Sequence, residues 1–463
     1  MERDLATIAK VTGGVLRGSG DIVPGGYSID TRTLAKGDLF FAIVGPRQDG
    51  HRFVPEALGH GASAVVVSRA EVLPDGPAPA IIVQDTLTAL QDLAAAWRRS
   101  LPARIVGITG SAGKTTTKEM TRQAMEAAFR VHASRGNLNN LFGCPLSLLQ
   151  LTPQHQVSVL EMGMSYPGEL TRLAAITDPD IGVLTNVSGV HLAHFASLDD
   201  VAEAKGELFA GMRDNATGIF NNDDERCRRI MGRFRGYGFT FGIDRPADLT
   251  ASEYQMDGLD GCHFVARHQH NGGSTRVSVR LQFAGVHHVY NALAALSAGF
   301  MLGIDLEAMA ARLADLQPLG MRGRVLRLGG NVRVVDDSYN SNPAAMRFAL
   351  DVLTRAEPPA GGRRAVVFGD MLELGEGEIV AHREIGRAIA ACGAELVVGV
   401  GQLSAAALEE VPDAEARHFG TAAEAAAWVA DAARDGDIFL VKGSRGVGLE
   451  AVVERLRARF GEG

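Results

Sequence analysis

The segment with the clearest chemistry is a glycine-rich turn that carries a lysine and two threonines. It has the sequence TGSAGKTT from Thr109 to Thr116, between a buried-strand pattern at Arg104 to Ile108 and a helical pattern rich in Lys, Glu, Met and Ala. A strand, glycines, a lysine and a helix in this order predict a phosphate-binding loop, because backbone N–H groups and the positive helix end face the phosphate. A strict P-loop has glycine at position 108, where this chain has isoleucine.

The side chains of this turn suit a nucleotide triphosphate. Lys114 can neutralise the terminal phosphates, and the Thr115 hydroxyl can reach a phosphate-bound Mg²⁺. The alternative, a plain strand-to-helix turn with an exposed lysine, is less consistent with all four features in order. The predicted ATP-binding residues of the loop are Gly110, Ser111, Ala112, Gly113, Lys114, Thr115 and Thr116. The loop alone does not identify the reaction, because kinases, switches and ligases share it.

Further polar groups follow strands of the predicted central sheet. Glu161 comes directly after the strand pattern Val157 to Leu160, and Asn186 follows the strand Ile181 to Leu184, with His191 five residues on. Ligands gather at the carboxyl ends of parallel strands, so Glu161 is placed to hold Mg²⁺ opposite Thr115. Taken singly, Glu161 also fits a solvated strand-end carboxylate, and His191 a structural histidine.

Lys205 lies on the apolar face of a predicted helix. Val201, Lys205, Leu208 and Phe209 follow the i, i+4, i+7, i+8 spacing of one helix face. Its stem could pack there while the ammonium reaches water. An ammonium cannot bind Mg²⁺, whereas a lysine of lowered pKa that reacted with CO₂ would become an anionic carbamate ligand. The residues alone leave both interpretations open.

Three zones position these groups. We expect a small N-terminal α/β domain over 1–84, a central P-loop ATPase-like domain over 85–317 with a mainly parallel sheet, and a C-terminal Rossmann-like, doubly wound domain over 318–463. Strand and helix patterns alternate through the second and third zones, and a polar stretch at 267–276 indicates a surface hairpin or loop. The fold class is therefore α/β.

The amino-acid composition argues against some classes of binding partner. The chain has 46 basic and 54 acidic residues, a formal net charge of −8, so we expect no nucleic-acid partner. We expect no membrane insertion, because no apolar run reaches the roughly 18 residues of a spanning helix. The four cysteines are scattered, and the N-terminus lacks a signal-peptide core. A cytoplasmic monomer is the expectation.

With these motifs the sequence resembles the Mur ligases over essentially its whole length. The general features are the phosphate loop, Glu161, His191, and the segments 203–209, 285–291 and 323–324. Four further segments resemble the family member that adds D-alanyl-D-alanine: 136–140 (GNLNN), 336–343 (DDSYNSNP), 369–375 (GDMLELG) and 441–445 (VKGSR). The second is the most specific, although Ser341 stands where the family has alanine.

The resemblance implies roles for matched positions. Lys205 matches the family's carbamoylated lysine, Asn291 the adenine-binding asparagine, Arg324 a phosphate-contacting arginine and Asp337 a ribose-contacting aspartate. The implied catalytic residues are Lys114, Lys205, His191 and Arg324, and the implied Mg²⁺ ligands are Thr115, Glu161, His191 and Lys205. The residues that the resemblance implies for the UDP substrate are Ser28, Thr31, Arg32 and Arg47. Those that it implies for the dipeptide are Tyr339, Asn340 and Asn342.

The implied activity is an ATP-dependent amide ligase. It would add D-alanyl-D-alanine to UDP-N-acetylmuramoyl-tripeptide through an acyl phosphate, in peptidoglycan precursor synthesis. The nearest alternative is a sister ligase or folylpolyglutamate synthase that adds a single amino acid. A more distant one is a P-loop switch that ligates nothing, which would need neither a lysine on an apolar helix face nor a third α/β domain.

Overall fold

The computed structural model describes residues 2–45, 48–76, 78–189, 195–270 and 273–461. Within them the chain forms three β-sheets, of five, nine and six strands, with helices packed against each sheet. The prediction of an α/β protein with a parallel central sheet and a doubly wound C-terminal sheet is confirmed. In the described part of the chain, no helix combines the length and apolar character needed to cross a membrane.

The first sheet is small and has the strand order β1-β5-β4-β3-β2. Its strands are parallel except β1, which pairs antiparallel to β5. The helices are α1 (Leu5–Thr12) and α2 (Val54–Gly59), and the strands are β1 (Val15–Arg17), β2 (Tyr27–Ser28), β3 (Leu39–Phe41), β4 (Ala64–Val67) and β5 (Ala80–Ile82).

The second sheet carries the phosphate loop, and its order is β14-β13-β12-β11-β10-β9-β6-β8-β7. Its strands are β6 (Arg104–Thr109), β7 (Val131–Ala133), β8 (Val157–Glu161), β9 (Ile181–Leu184), β10 (Thr217–Asn221), β11 (Tyr237–Gly242), β12 (Leu249–Met256), β13 (Cys262–His270) and β14 (Gly273–Leu281). From β7 to β12 the pairing is parallel, and β6 lies between β8 and β9. Both faces of the central strands are covered, which explains their continuous apolar sequences.

Eight helices accompany this sheet: α3 (Thr86–Arg99), α4 (Lys114–Met125), α5 (Gly143–Leu149), α6 (Glu169–Thr177), α7 (Leu198–Ala210), α8 (Glu225–Met231), α9 (Val286–Met301) and α10 (Leu306–Ala314). Helix α9 packs closely along α4, the helix that follows the phosphate loop. Two histidines and an asparagine lie on its first turns and are buried or half-buried.

The third sheet has the order β15-β16-β20-β17-β18-β19, with only β15 antiparallel to its neighbour among the pairs that the structure describes. Its strands are β15 (Arg324–Arg327), β16 (Arg333–Asp337), β17 (Arg364–Gly369), β18 (Leu396–Val400), β19 (Glu415–Phe419) and β20 (Ile438–Lys442). Its helices are α11 (Pro343–Arg355), α12 (Glu378–Ala391), α13 (Ser404–Leu408), α14 (Ala422–Ala432) and α15 (Glu450–Phe460).

Residues 267–270 and 273–276 of the polar stretch lie in the antiparallel pair of β13 and β14, which fits the hairpin interpretation, and 271–272 lie outside the described residues. The sequence did not predict that these strands extend the central sheet. Their outward side chains are polar, and only the alternate positions are buried, which weakens an apolar strand signal.

Candidate active site

The phosphate loop turns tightly at two glycines between β6 and α4. Gly110 and Gly113 have φ of 147° and 81°, in the region that favours glycine. A Cβ at Gly110 would collide with the Thr185 hydroxyl, and a Cβ at Gly113 with the Asn291 side-chain oxygen. The glycines therefore allow close packing as well as the turn.

The loop is held against the end of β9 by hydrogen bonds. The Ala112 N–H donates to Asn186 Oδ1 at 3.0 Å, and the Ala112 carbonyl accepts from Thr185 Oγ1 at 2.7 Å. Ser111 Oγ donates to the Ser188 carbonyl at 2.9 Å. These bonds fix the loop backbone in a defined shape.

Lys114 opens α4 and folds back over the loop. Its Nζ donates to the Gly110 carbonyl at 2.8 Å and to the Ser111 carbonyl at 3.3 Å. Burial lowers the pKa of Lys114, the charge of Glu161 raises it, and the charge of Arg322 lowers it further. An incoming triphosphate would favour the charged ammonium. Thr116, in the same helical turn, is half-buried.

Glu161, the last residue of β8, meets Thr115 inside the protein. Thr115 Oγ1 donates to Glu161 Oε2 at 2.7 Å, and Asn139 Nδ2 donates to Glu161 Oε1 at 2.8 Å. Both Thr115 and Glu161 are buried. A buried hydroxyl and a carboxylate that converge offer the oxygen ligands that Mg²⁺ prefers, so these residues fit that ion.

A second buried lysine, Lys118, lies one turn after Lys114. Its Nζ donates to the Ser134 carbonyl at 2.6 Å and to the Gly136 carbonyl at 3.4 Å. Ser134 in turn accepts the backbone N–H of Glu161 through its Oγ at 3.1 Å. Lys118 therefore ties helix α4 to the segment that leads to Asn139 and so to Glu161.

Lys205 is buried in α7, with 2% of its surface exposed. Burial lowers the pKa of its amine well below the ordinary value, and the charge of Lys114 acts in the same direction. The amine is therefore favoured in its neutral form, as a reaction with CO₂ requires. His191, the predicted partner, lies outside the described residues. Among the residues that are described, no three His, Cys, Asp or Glu side chains gather as a metal cage.

Asn291 lies on α9 directly against the phosphate-loop helix. Its Oδ1 accepts a hydrogen bond from Thr117 Oγ1 at 3.2 Å, and its Nδ2 is 3.5 Å from His288 Nδ1. One turn earlier, the His287 ring stacks on Phe348 of α11, with centroids 5.2 Å apart. Helix α9 thus contacts both the nucleotide loop and the third sheet's first helix. Burial, aided by the charge of Lys442, lowers the pKa of His287 to about 3.

Asp337 ends β16 and forms an ion pair with Lys442 at the end of β20. Lys442 Nζ lies 2.6 Å from Asp337 Oδ2 and also donates to the Asn340 carbonyl at 2.9 Å. Burial raises the pKa of Asp337, and the charges of Lys442 and Arg322 lower it.

The two arginines at the start of the third sheet differ in their surroundings. Arg324 is exposed at the first position of β15, and its guanidinium makes no hydrogen bond to a described residue. The Arg322 guanidinium lies over the Tyr339 ring, 3.8 Å from its centroid. Its charge lowers the pKa of both Lys114 and Asp337. The phosphate role that the resemblance implied for Arg324 stays a prediction.

The predicted dipeptide residues have mixed local roles. Asn342 accepts the Ala345 N–H at 2.9 Å and so begins α11. The Asn340 backbone carbonyl is used by Lys442, as described above. Tyr339 is half-buried, and its ring packs against a guanidinium.

The predicted UDP-binding residues lie at the end of β2 and in the following turn. Ser28 and Thr31 are buried, and Ser28 Oγ donates to the Asp30 carbonyl at 3.0 Å. Arg32 is exposed and pairs with Asp30 at 2.6 Å. Arg47 lies outside the described residues. The structure brings the first three together in one turn of the first sheet.

Sequence reasoning assigned no role to four residues that contact the site: Lys118, Asn139, Arg322 and Lys442. The i, i+4 spacing of Lys114 and Lys118 would have placed both lysines on one face of α4. Nothing local in the sequence marks Arg322, because its place depends on how the second and third sheets pack.

Family models match three parts of the chain. They describe the Mur ligase middle domain over residues 108–299, the Mur ligase glutamate ligase domain over 321–445, and the Mur ligase family catalytic domain over 25–98.

Relatives with similar length give the same result. The UDP-N-acetylmuramoyl-tripeptide–D-alanyl-D-alanine ligase of Escherichia coli is 36% identical, and the alignment covers 98% of each chain. The ligase of the same name from Bacillus subtilis is 34% identical, with 93% of each chain covered.

Solved structures agree in three dimensions. A crystal structure of MurF from Acinetobacter baumannii has a TM-score of 0.87 at 30% identity and covers 99% of each chain. MurF ligase from Thermotoga maritima in complex with ADP has a TM-score of 0.80 at 28% identity, over 94% of this chain and 97% of that one. The family resemblance predicted from the motifs is confirmed, and the chain belongs to the Mur ligase family.

Proposed function

We propose that this chain is an ATP-dependent ligase that joins D-alanyl-D-alanine to UDP-N-acetylmuramoyl-tripeptide, in peptidoglycan precursor synthesis. The observation that carries the proposal is the pairing of a phosphate loop with the 336–343 segment of the third sheet, in a chain aligned end to end with ligases of that name. Arg322 connects the two parts, because it lies on Tyr339 and its charge reaches Lys114.

The reaction needs ATP because a carboxylate does not acylate an amine unaided. Its negative charge repels the nucleophile, and an oxide is a poor leaving group. Attack of the tripeptide carboxylate on the γ-phosphate gives an acyl phosphate and ADP. The amino group of the dipeptide then attacks that carbonyl, and the tetrahedral intermediate collapses to an amide and inorganic phosphate.

The protein's part is alignment and charge neutralisation, as in other phosphoryl transfers. Lys114 and the loop amides would bind the phosphates, and Arg322 and Arg324 would add positive charge. When bound at Thr115 and Glu161, Mg²⁺ supplies further charge against the phosphate oxygens. His191 and a carbamoylated Lys205 are proposed to help Glu161 hold a second ion. Asn291 would bind adenine and Asp337 the ribose.

The three sheets suit three ligands. We propose domains over 1–84, 85–317 and 318–463, which bind the UDP substrate, ATP and the dipeptide in that order. Ser28, Thr31, Arg32 and Arg47 would contact the UDP substrate, and Tyr339, Asn340 and Asn342 the dipeptide. We also propose that the chain works in the cytoplasm as a monomer.

The competing candidate is a sister ligase that adds one amino acid. It would keep the ATP chemistry, but the 336–343 segment and the full-length relatives favour the dipeptide.

The test is product formation with defined acceptors. Purified chain, ATP, Mg²⁺ and the UDP-tripeptide should form the pentapeptide with D-alanyl-D-alanine, followed by mass spectrometry and phosphate release. Much less product is expected with single amino acids. Lys114→Ala should bind the UDP substrate and form no product, which separates ligation from contaminating activity. Equal turnover with L-lysine, diaminopimelate or glutamate would overturn the assignment.

A further inference from the structure

Three loops meet at the carboxyl edge of the third sheet, where β16, β20 and β17 lie side by side. They follow Asp337, Lys442 and Gly369. The Leu372 N–H donates to Ser444 Oγ at 3.0 Å, which joins two of the loops. The Lys442 bond to the Asn340 carbonyl joins the third. In open α/β sheets this edge is where ligands bind.

Tyr339 lies at this edge with two arginines near its ring. The Arg322 guanidinium is 3.8 Å from the ring centroid and that of Arg445 is 6.0 Å away. Tyr339 is fixed in turn by its backbone, because its N–H donates to the Met321 carbonyl at 3.1 Å. Two cations therefore lie near one aromatic ring, among the residues assigned to the dipeptide.

Much of the Arg445 guanidinium is free to bind an anion. Its Nη1 makes the contacts to Met321 Sδ at 3.4 Å and to Glu450 at 3.2 Å. Nε and Nη2 donate to no acceptor in the described part of the chain, and 56% of the side chain is exposed. A planar fork with free N–H groups is suited to a carboxylate. Beside it, Leu372 is 44% exposed and its Cδ1 lies 3.3 Å from where a Gly446 Cβ would be, which gives small methyl groups an apolar contact.

The acceptor dipeptide needs such a cation. D-alanyl-D-alanine carries a carboxylate at one end, and the predicted contacts Tyr339, Asn340 and Asn342 are all uncharged. We propose that Arg445 binds the C-terminal carboxylate of the acceptor dipeptide and thereby measures its length. The inference rests on the proposed function and adds the residue that selects a dipeptide.

The positions of the two arginines explain why the site would select a dipeptide over a single amino acid. The charge of Arg322 acts on Lys114, whereas that of Arg445 does not, and Arg445 is the farther of the two guanidinium groups from the Tyr339 ring. A dipeptide anchored at Arg445 extends its amino group toward the phosphate loop. A single amino acid anchored by the same carboxylate falls short by one residue, about 3.5 Å, which is too far for attack on the acyl phosphate.

Steady-state kinetics with two acceptors tests the proposal on the full chain. Arg445→Gln should raise the KM for D-alanyl-D-alanine about 10- to 100-fold, the effect of losing charge-assisted hydrogen bonds. The KM values for ATP and the UDP-tripeptide should stay within about twofold. With D-alanyl-D-alaninamide, which lacks the carboxylate charge, wild type and variant should have nearly equal KM values.

The matched control is Arg383→Gln, which removes an exposed arginine that also pairs with one glutamate in the same sheet unit. It should leave all KM values unchanged. Arg445→Gln overturns the proposal if it leaves the dipeptide KM unchanged or raises the KM for dipeptide and amide by the same factor. A rise in the ATP KM alone would assign Arg445 to the nucleotide and also overturn it. If the wild type itself fails to use D-alanyl-D-alanine, the proposed function is the part that fails.

Discussion

Lys442 Nζ lies 2.6 Å from Asp337 Oδ2, and the two residues are register partners at the ends of the parallel strands β20 and β16. The ammonium therefore opposes the rise in the pKa of Asp337 that burial causes. Any role of Asp337 as an ionised acceptor depends on this neighbour.

Lys442→Met should shift the acidic limb of the pH–activity profile to higher pH. Without the ammonium, the pKa of Asp337 rises further, so the carboxylate is lost at a higher pH than in the wild type. The kcat/KM for ATP, measured from acidic to alkaline pH, should fall earlier as pH decreases. Lys36→Met, at an exposed lysine of the first sheet unit, is the control and should keep the wild-type profile. Identical profiles for the two variants would contradict the prediction.

Gly113→Ala should abolish nucleotide binding because its Cβ meets the Asn291 side chain. Gly168→Ala is matched to it. Both glycines precede a helix with φ between 81° and 88°, but a Cβ at Gly168 has open space. Both variants should therefore lose about 1–2 kcal/mol of stability from the left-handed backbone. Only Gly113→Ala should lose ADP affinity in calorimetry, and equal affinities would show that the contact with Asn291 is unimportant.

Lys118→Met should weaken Mg²⁺-dependent nucleotide binding. Its bond to Ser134 supports the segment that holds Glu161, so the carboxylate should lose its fixed position. The readout is the gain in melting temperature from ADP with Mg²⁺ compared with ADP alone, which should shrink in the variant.

The control for Lys118 is Arg98→Met. Arg98 is also a buried cation that donates to backbone carbonyls, including that of Thr177 at 3.1 Å, but it makes no contact with Glu161. Both variants should be less stable, by about 3 kcal/mol. If Lys118→Met keeps the full Mg²⁺-dependent gain in melting temperature, the role of Lys118 is structural only.

Lys205→Ala should be nearly inactive, with partial recovery when a short carboxylic acid is added. The wild-type neutral amine would bond to the carbon of CO₂ and release a proton, which gives an anionic carbamate. Lys205→Arg should stay inactive, because a guanidinium does not form this group. Carbon-13 NMR with labelled CO₂ should show a carbamate in the wild type and none in either variant. An active Lys205→Arg would leave Lys205 as a packed lysine.

Local sequence patterns predicted the parts of the fold that local physics decides. The strand patterns at 104–108, 157–160 and 181–184 coincide with β6, β8 and β9 to within one residue, because buried parallel strands are continuously apolar. The glycines and the lysine of the phosphate loop are also recognisable in the sequence, because the turn restricts which residue types fit. The spacing around Lys205 predicted an apolar helix face, and the side chain is buried there.

The features of the site that the sequence did not predict depend on contacts between segments that are far apart in the chain. Asn139 reaches Glu161 across 22 positions, and Lys442 reaches Asp337 across 105. The family resemblance implied a phosphate role for Arg324, which stays a prediction, and it gave no role to Arg322, whose charge lowers the pKa of Lys114. The place of Arg322 over the Tyr339 ring follows from tertiary packing and has no local pattern.

Helix α9 carries Asn291, which touches the phosphate-loop helix, and His287, which stacks on Phe348 of the third sheet unit. The two side chains are one helical turn apart on a single rigid element. Thermodynamic reciprocity follows for any movement of that helix. By whatever factor bound nucleotide changes the equilibrium constant for docking α11 against α9, docking changes the affinity for nucleotide by the same factor. A ligand that changes this docking and a nucleotide at the loop can therefore influence each other's binding without touching.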